Sequence, residues 1–176
     1  MNNHKCLNKS IFLLGFMGTG KTTISKGLGE KLGLQVLDTD QMIVDQEGVS
    51  INEIFAKHGE SHFRDIETAV VKSLADGEPA VISCGGGLPL REENRRIIKE
   101  KGIGVLLTAS SEAIYERVKN DDQRPLLKDN MTVEYIAEML EKRKKAYEDA
   151  GQIIVDTENK SVDEICEEIV EKVKGL

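Results

Sequence analysis

The stretch GFMGTGKTT, Gly15–Thr23, decides how this chain is read. It fits G-x-x-x-x-G-K-[ST] at every fixed position from Gly15 to Thr22. Its surroundings fit too: the apolar run SIFLLG (Ser10–Gly15) precedes it as a buried strand, and a helical segment follows. In that context glycines let backbone N–H groups converge on phosphate oxygens, and the helix N-terminus adds a favourable dipole. Lys21 is then expected to reach the β- and γ-phosphates, and the Thr22 hydroxyl to ligate Mg²⁺. The motif points to a nucleoside triphosphate and leaves the reaction open.

Outward from the loop, short apolar runs alternate with helical patterns. LQVLDTD (Leu34–Asp40), AVISC (Ala80–Cys84), GVLLTA (Gly104–Ala109) and QIIVDT (Gln152–Thr157) read as four more strands. Their near-continuous Val, Ile and Leu content predicts strands covered on both faces. Helical spacing links Phe63, Ile66, Val70, Val71 and Leu74, then Val133, Ile136, Ala137 and Leu140, then Val162, Ile165, Cys166, Ile169, Val170 and Val173. SINE (Ser50–Glu53) has the S-x-x-E form of a capping box, which places a helix start there. Five strands alternating with helices predict an α/β fold with a parallel sheet and right-handed crossovers.

The chain has 176 residues, about one domain, and residues 1–176 are expected to form one unit. Hydrophobic residues make up 39% and charged residues 31%, ordinary for a globular protein. No stretch approaches the ~20 apolar residues that span a bilayer. The start MNNHKCLNKS lacks an apolar run with a small-residue cleavage site, so a cytoplasmic location is expected, with no membrane partner. A net charge of −7 argues against nonspecific nucleic-acid binding. Cys6, Cys84 and Cys166 are far apart and lack C-x-x-C spacing, which fits reduced thiols.

Several side chains could supply the chemistry that follows nucleotide binding. The motif N-K-x-D that reads guanine in switch GTPases is absent, because the two Asn-Lys pairs run NKSI and NKSV. Asp38 and Asp40 close the second strand, two residues apart, and are expected to point the same way from its C-terminal end. One could hold a metal's water shell while the other takes a proton from an acceptor hydroxyl, or both could be a solvated strand end with a helix cap. Arg64 and Glu67 in FRDIE share a helix face, as a functional pair or a surface ion pair. Gly85, Gly86 and Gly87 follow a strand and permit close approach of backbone to a ligand; a flexible turn is the alternative. Arg124 lies in NDDQRPLLKDN (120–130), a polar stretch that reads as a mobile lid whose cation could close over a phosphoryl group. Arg143 in EKRKKAYEDAG lies in a basic helix end, where a cation suits the helix dipole. His58 and His62 in HGESH superficially resemble a zinc motif, but Glu60 is misplaced and Gly59 weakens a helix there.

Taken in order, GFMGTGKTT, LDTD, SINEIF, G-E-x-x-F-R-x-x-E, GGG, RPLL and R-x-x-x-Y resemble the shikimate kinase family from about Ile11 to Thr157. The resemblance implies a three-layer P-loop kinase fold similar to nucleoside monophosphate kinases. Its five-stranded parallel sheet runs in the order 2-3-1-4-5, with a mobile lid near 120–130 and a small substrate-binding lobe near 40–67. It implies transfer of the ATP γ-phosphate to the 3-hydroxyl of shikimate, on the route to chorismate and the aromatic amino acids. Asp40 matches the aspartate on the acceptor hydroxyl, and Asp38 the carboxylate that reaches Mg²⁺ through water, alongside Thr22. Arg64 and Arg143 match the arginines that clasp the shikimate carboxylate, and Glu67 the acid that orients them. Gly85, Gly86 and Gly87 match the substrate-facing loop, and Phe55 and Phe63 an apolar wall. Gly18, Thr19, Gly20, Lys21, Thr22 and Thr23 match the phosphate cradle, and Lys21, Asp40 and Arg124 the catalytic set. Arg117 and Lys160 fall on the adenine side, where Lys160 and Val162 depart from the commoner arginine and proline. A monomer is expected. A gluconate kinase and a non-catalytic nucleotide-binding protein are the two rival readings.

Overall fold

The computed structural model describes residues 7–119 and 131–176. The element order is β1 (Ile11–Leu14), α1 (Lys21–Leu32), β2 (Gln35–Asp38), α2 (Thr39–Glu47), α3 (Ile51–Ala75), β3 (Ala80–Ser83), a 3₁₀ turn (Leu88–Leu90) and α4 (Glu92–Lys101). It continues through β4 (Ile103–Thr108), α5 (Ser111–Val118), α6 (Val133–Ala150), β5 (Ile153–Asp156) and α7 (Val162–Lys174). The five strands form one parallel sheet in the order β2-β3-β1-β4-β5. Arg124 and the rest of the stretch read as a lid lie outside the described residues.

Alternation across the pleat divides the core in two. Ile11 and Leu13 of β1 join Val81, Val105 and Val155 against Ile24 and Leu28 of α1 and Ile165, Ile169 and Val173 of α7. Phe12 and Leu14 face the other way, with Ile82 and Leu106, against Ile43, Ile66, Ile98, Ile114 and Ile136. Helices therefore cover both faces, giving three layers. All four β1 residues are fully buried, which stabilises the centre of the sheet by roughly 1.5–3 kcal/mol for each large apolar side chain.

The edge strands differ from expectation. β2 is partly to well exposed along its length, and β5 alternates buried and exposed residues. Each has a sheet neighbour on one side only, so the helical layers overhang them incompletely. Lys172 of α7 donates to Ile154 O, which occupies part of the open β5 edge.

β2 also stops at Asp38, earlier than the pattern LQVLDTD suggests. Asp38 is the N-cap of α2, accepting from Asp40 N at 2.9 Å and Gln41 N at 3.1 Å. Asp40 therefore sits in the first helical turn and not on the strand, because a carboxylate that satisfies two orphan N–H groups favours helix over continued strand. The Ser50/Glu53 capping box forms as expected, and SVDE makes a second one with Ser161 and Glu164. Gly59 breaks the helical run of α3 at φ 80° and ψ 172°, a conformation open to glycine and strained for other residues.

Candidate active site

The strand order brings the carboxyl ends of β1, β2 and β3 side by side, where open α/β sheets bind ligands. The phosphate loop follows β1, Asp38 ends β2, and the three glycines follow β3. Between them lies a cavity of about 380 Å³, whose walls include Lys21, Thr22, Asp38, Asp40, the glycines and Arg143. Gly18, Gly20 and Thr23 also line it.

The loop's shape rests on its glycines. Gly15 has φ 146°, and a Cβ there would lie 2.6 Å from Leu107 O and 2.8 Å from Thr19 Oγ1. Gly20, at φ 92°, is the left-handed N-cap that starts α1. Lys21 Nζ donates to Gly15 O at 2.8 Å and Phe16 O at 2.9 Å, folding the side chain back over its own loop. Thr19 turns inward: it is 1% exposed, and its hydroxyl donates to Phe16 O at 2.7 Å, bracing the loop from beneath.

Thr22 and Asp38 present hard oxygen donors to the same cavity, the chemistry Mg²⁺ prefers. Among the described residues no cluster of three or more His, Cys, Asp or Glu side chains could hold a metal unaided. The pair therefore fits an ion that keeps waters and phosphate oxygens in its shell.

Each glycine after β3 answers to a particular neighbour. A Cβ on Gly85 would lie 2.6 Å from Asp40 Oδ1 and 3.3 Å from Glu67 Oε1. A Cβ on Gly87 would overlap Arg64, with Nη1 at 2.7 Å, and one on Gly86 would face Arg143 Nη1 at 3.7 Å. The glycines thus bring Asp40, Glu67, Arg64 and Arg143 around one bend of backbone.

Arg64 Nη1 pairs with Glu67 at 2.9 Å and Nη2 with Glu60 at 3.2 Å. Glu67 is 1% exposed, and burial pushes its carboxyl above the ordinary range, against the pull of Arg64. Arg64 also lies 5.2 Å from the Phe63 ring centroid, and Phe63 packs on Phe55. Arg143 lies in the interior of α6, not at its end, so the dipole reading does not apply. Its guanidinium stands 5.3 Å from the Phe16 ring centroid, over the phosphate loop.

Arg117 donates to Gly18 O and Thr157 Oγ1, both at 3.0 Å, which ties α5 to the phosphate loop and the end of β5. Lys160 pairs with Glu168 of α7 at 2.7 Å. His58 and His62 lie with ring centroids 4.9 Å apart on either side of the Gly59 break.

Sequence reasoning missed the side chains that fasten the glycine loop. Thr39 Oγ1 accepts from Gly85 N at 2.9 Å, Tyr147 donates to Gly86 O at 2.8 Å, and Asn94 Nδ2 donates to Leu88 O at 2.9 Å. Arg91 adds a brace to the back of the site, donating to Arg64 O at 3.0 Å and pairing with Asp65 at 2.7 Å. Only Tyr147 carried a signal, being four residues and one helical turn from Arg143.

A family model described as shikimate kinase matches residues 17–174. The chain is 44% identical to a shikimate kinase from Geobacter metallireducens over 95% of its own length and 93% of that protein. Its structure is similar to shikimate kinase from Acinetobacter baumannii in complex with shikimate, with a TM-score of 0.89 at 31% identity, covering 97% of this chain and 95% of that one. It is also similar to shikimate kinase from Aquifex aeolicus, with a TM-score of 0.81 at 37% identity, covering 94% and 96%. With a family model matched over most of the chain and a relative this similar from end to end, the protein belongs to the shikimate kinase family.

Proposed function

We infer that this chain transfers the γ-phosphate of ATP to the 3-hydroxyl of shikimate, giving shikimate 3-phosphate and ADP. The observation that carries this reading is the placement of Lys21, Asp40, the glycines and Arg143 on one cavity, with Arg64 against Gly87. A small carboxylate with ring hydroxyls needs forked cations at one end and an acceptor for the hydroxyl proton at the other. Arg64 and Arg143 serve as the cations, positioned by Glu67 and Phe16 respectively. Asp40 takes the proton as the hydroxyl oxygen attacks phosphorus. Lys21 exchanges its contacts with Gly15 O and Phe16 O for phosphate oxygens and follows the developing charge. Gly18, Thr19, Gly20, Thr22 and Thr23 shape the phosphate cradle, and Arg117 and Lys160 belong to the adenine side.

Thr22 and Asp38 would hold Mg²⁺, which would offset negative charge on the phosphates. Arg124, outside the described residues, is the further cation assigned to the transferring phosphoryl group. The same reading has the enzyme acting as a cytoplasmic monomer.

The test is ATP turnover by the purified protein, coupled to ADP release, with a panel of hydroxyl acceptors. Turnover dependent on shikimate and Mg²⁺, and at least about tenfold faster than with gluconate, is expected; equal rates across the panel would contradict it.

A further inference from the structure

Tyr147 is built into the site in a way that the reaction so far leaves unused. Its side chain is 4% exposed, with the ring in the core against α6's neighbours, and its hydroxyl is directed at the glycine loop. The hydroxyl donates to Gly86 O at 2.8 Å, and Arg143 Nη1 approaches the same carbonyl at 3.5 Å. Gly86 O therefore has two suitors, one neutral and short, the other charged and long. Burial pushes the phenol up while Arg143 beside it draws it down, so at neutral pH the phenol keeps its proton and remains the donor.

The chemical consequence concerns Arg143. An unshared carbonyl is a strong acceptor, and a guanidinium next to it would swing in to satisfy it. With Tyr147 on that carbonyl, the arginine is held only loosely to the loop, flanked on its other side by the Phe16 ring. Arg143 also hydrogen-bonds the Tyr147 hydroxyl, so Tyr147 holds the guanidinium in place while its remaining N–H groups face an incoming anion. Tyr147 and Arg143 lie one turn apart on α6, so the same helix supplies both the fork and the group that holds it. Thr39 and Asn94 fasten the same loop through backbone atoms, Gly85 N and Leu88 O, and not beside Arg143.

We propose that Tyr147 is a positioning residue for the acceptor's carboxylate: bonded to both Gly86 O and Arg143, it orients the Arg143 fork toward that carboxylate and fixes the glycine loop beneath it. This rests on the reading of Arg143 as a carboxylate ligand.

The experiment is a kinetic double-mutant cycle on the full chain. Tyr147→Phe keeps the ring and removes the hydroxyl. It should raise KM for shikimate by about 3- to 10-fold, with KM for ATP and the melting temperature nearly unchanged. In an Arg143→Ala background the same change should add almost nothing, because the group it positions is gone. An unchanged shikimate KM, an equal rise for both substrates, or full additivity with Arg143→Ala would overturn the proposal. A wild type inactive toward shikimate would instead overturn the functional reading on which it rests. Should Tyr147→Phe fail to fold, 3-fluorotyrosine in Tyr115→Phe/Tyr135→Phe leaves Tyr147 as the one labelled side chain. Its fluorine resonance should shift on adding shikimate and much less on adding ADP. No shift with shikimate, or a larger one with ADP, would overturn the proposal.

Discussion

Arg64 Nη1 stands 2.9 Å from Glu67, and Glu67 is the most deeply buried carboxylate of the site at 1% exposure. The other oxygen of that carboxylate, Oε1, accepts no hydrogen bond from the described residues. Burial of the charge outweighs the attraction to Arg64, so the ionised form is less favourable here than in water. The ion pair thus holds the arginine in place at a cost in stability, as buried pairs commonly do.

That imbalance predicts a pH dependence. A carboxyl whose folded pKa is raised contributes stability that is fully present below its unfolded pKa and is lost as pH rises through the folded value. Glu67→Gln cannot titrate. The melting temperature of Glu67→Gln minus that of wild type should therefore increase between about pH 4 and pH 7. A difference that is flat or falls over that window would show that Arg64, not burial, sets the carboxyl's charge.

Two glycines should separate binding from chemistry. Gly87→Ala drives a methyl group into the Arg64 guanidinium, so shikimate should bind at least about tenfold more weakly. Gly85→Ala drives one into Asp40 Oδ1, so kcat should fall by about 10²-fold. ATP affinity should change little in either. A higher shikimate KM together with a lower kcat in both variants alike would mean the loop acts only as a packed turn.

Lys21→Ala should remove turnover, by at least about 10²-fold, while the protein stays folded and binds nucleotide more weakly. Circular dichroism and a single-turnover assay check both halves. Near-normal turnover by a folded variant would contradict the role given to this lysine.

Much of this was legible in the sequence because the signals were local. A complete phosphate-loop pattern, S-x-x-E at Ser50 and runs of Val, Ile and Leu each depend on residues within one element. The exposure of β2 and β5 was not legible, since an apolar run does not say whether its strand ends up at an edge. The pattern D-x-D carries no mark of where a strand yields to a helix, so by sequence alone Asp38 and Asp40 look like neighbours on a strand. Thr39 and Asn94 were invisible for a different reason. Their partners, Gly85 N and Leu88 O, are backbone atoms, and in the case of Thr39 the partner is 46 residues away.

The arginine pair should select the acceptor by its carboxylate. Arg64→Lys and Arg143→Lys should each restore only part of the shikimate affinity lost in the alanine variants, because an ammonium lacks the fork. Each alanine variant should lose roughly 10- to 100-fold in shikimate affinity with ATP binding nearly unchanged. Full rescue by lysine would reduce the arginines to point charges.

The most direct measurement is a competition: wild-type protein with Mg²⁺-ATP and equal concentrations of shikimate, its uncharged carboxamide and gluconate, the products followed by ³¹P NMR. Shikimate 3-phosphate should dominate, and Arg64→Ala should narrow the preference for shikimate over the amide. Equal phosphorylation of the amide, or a preference for gluconate, would contradict it.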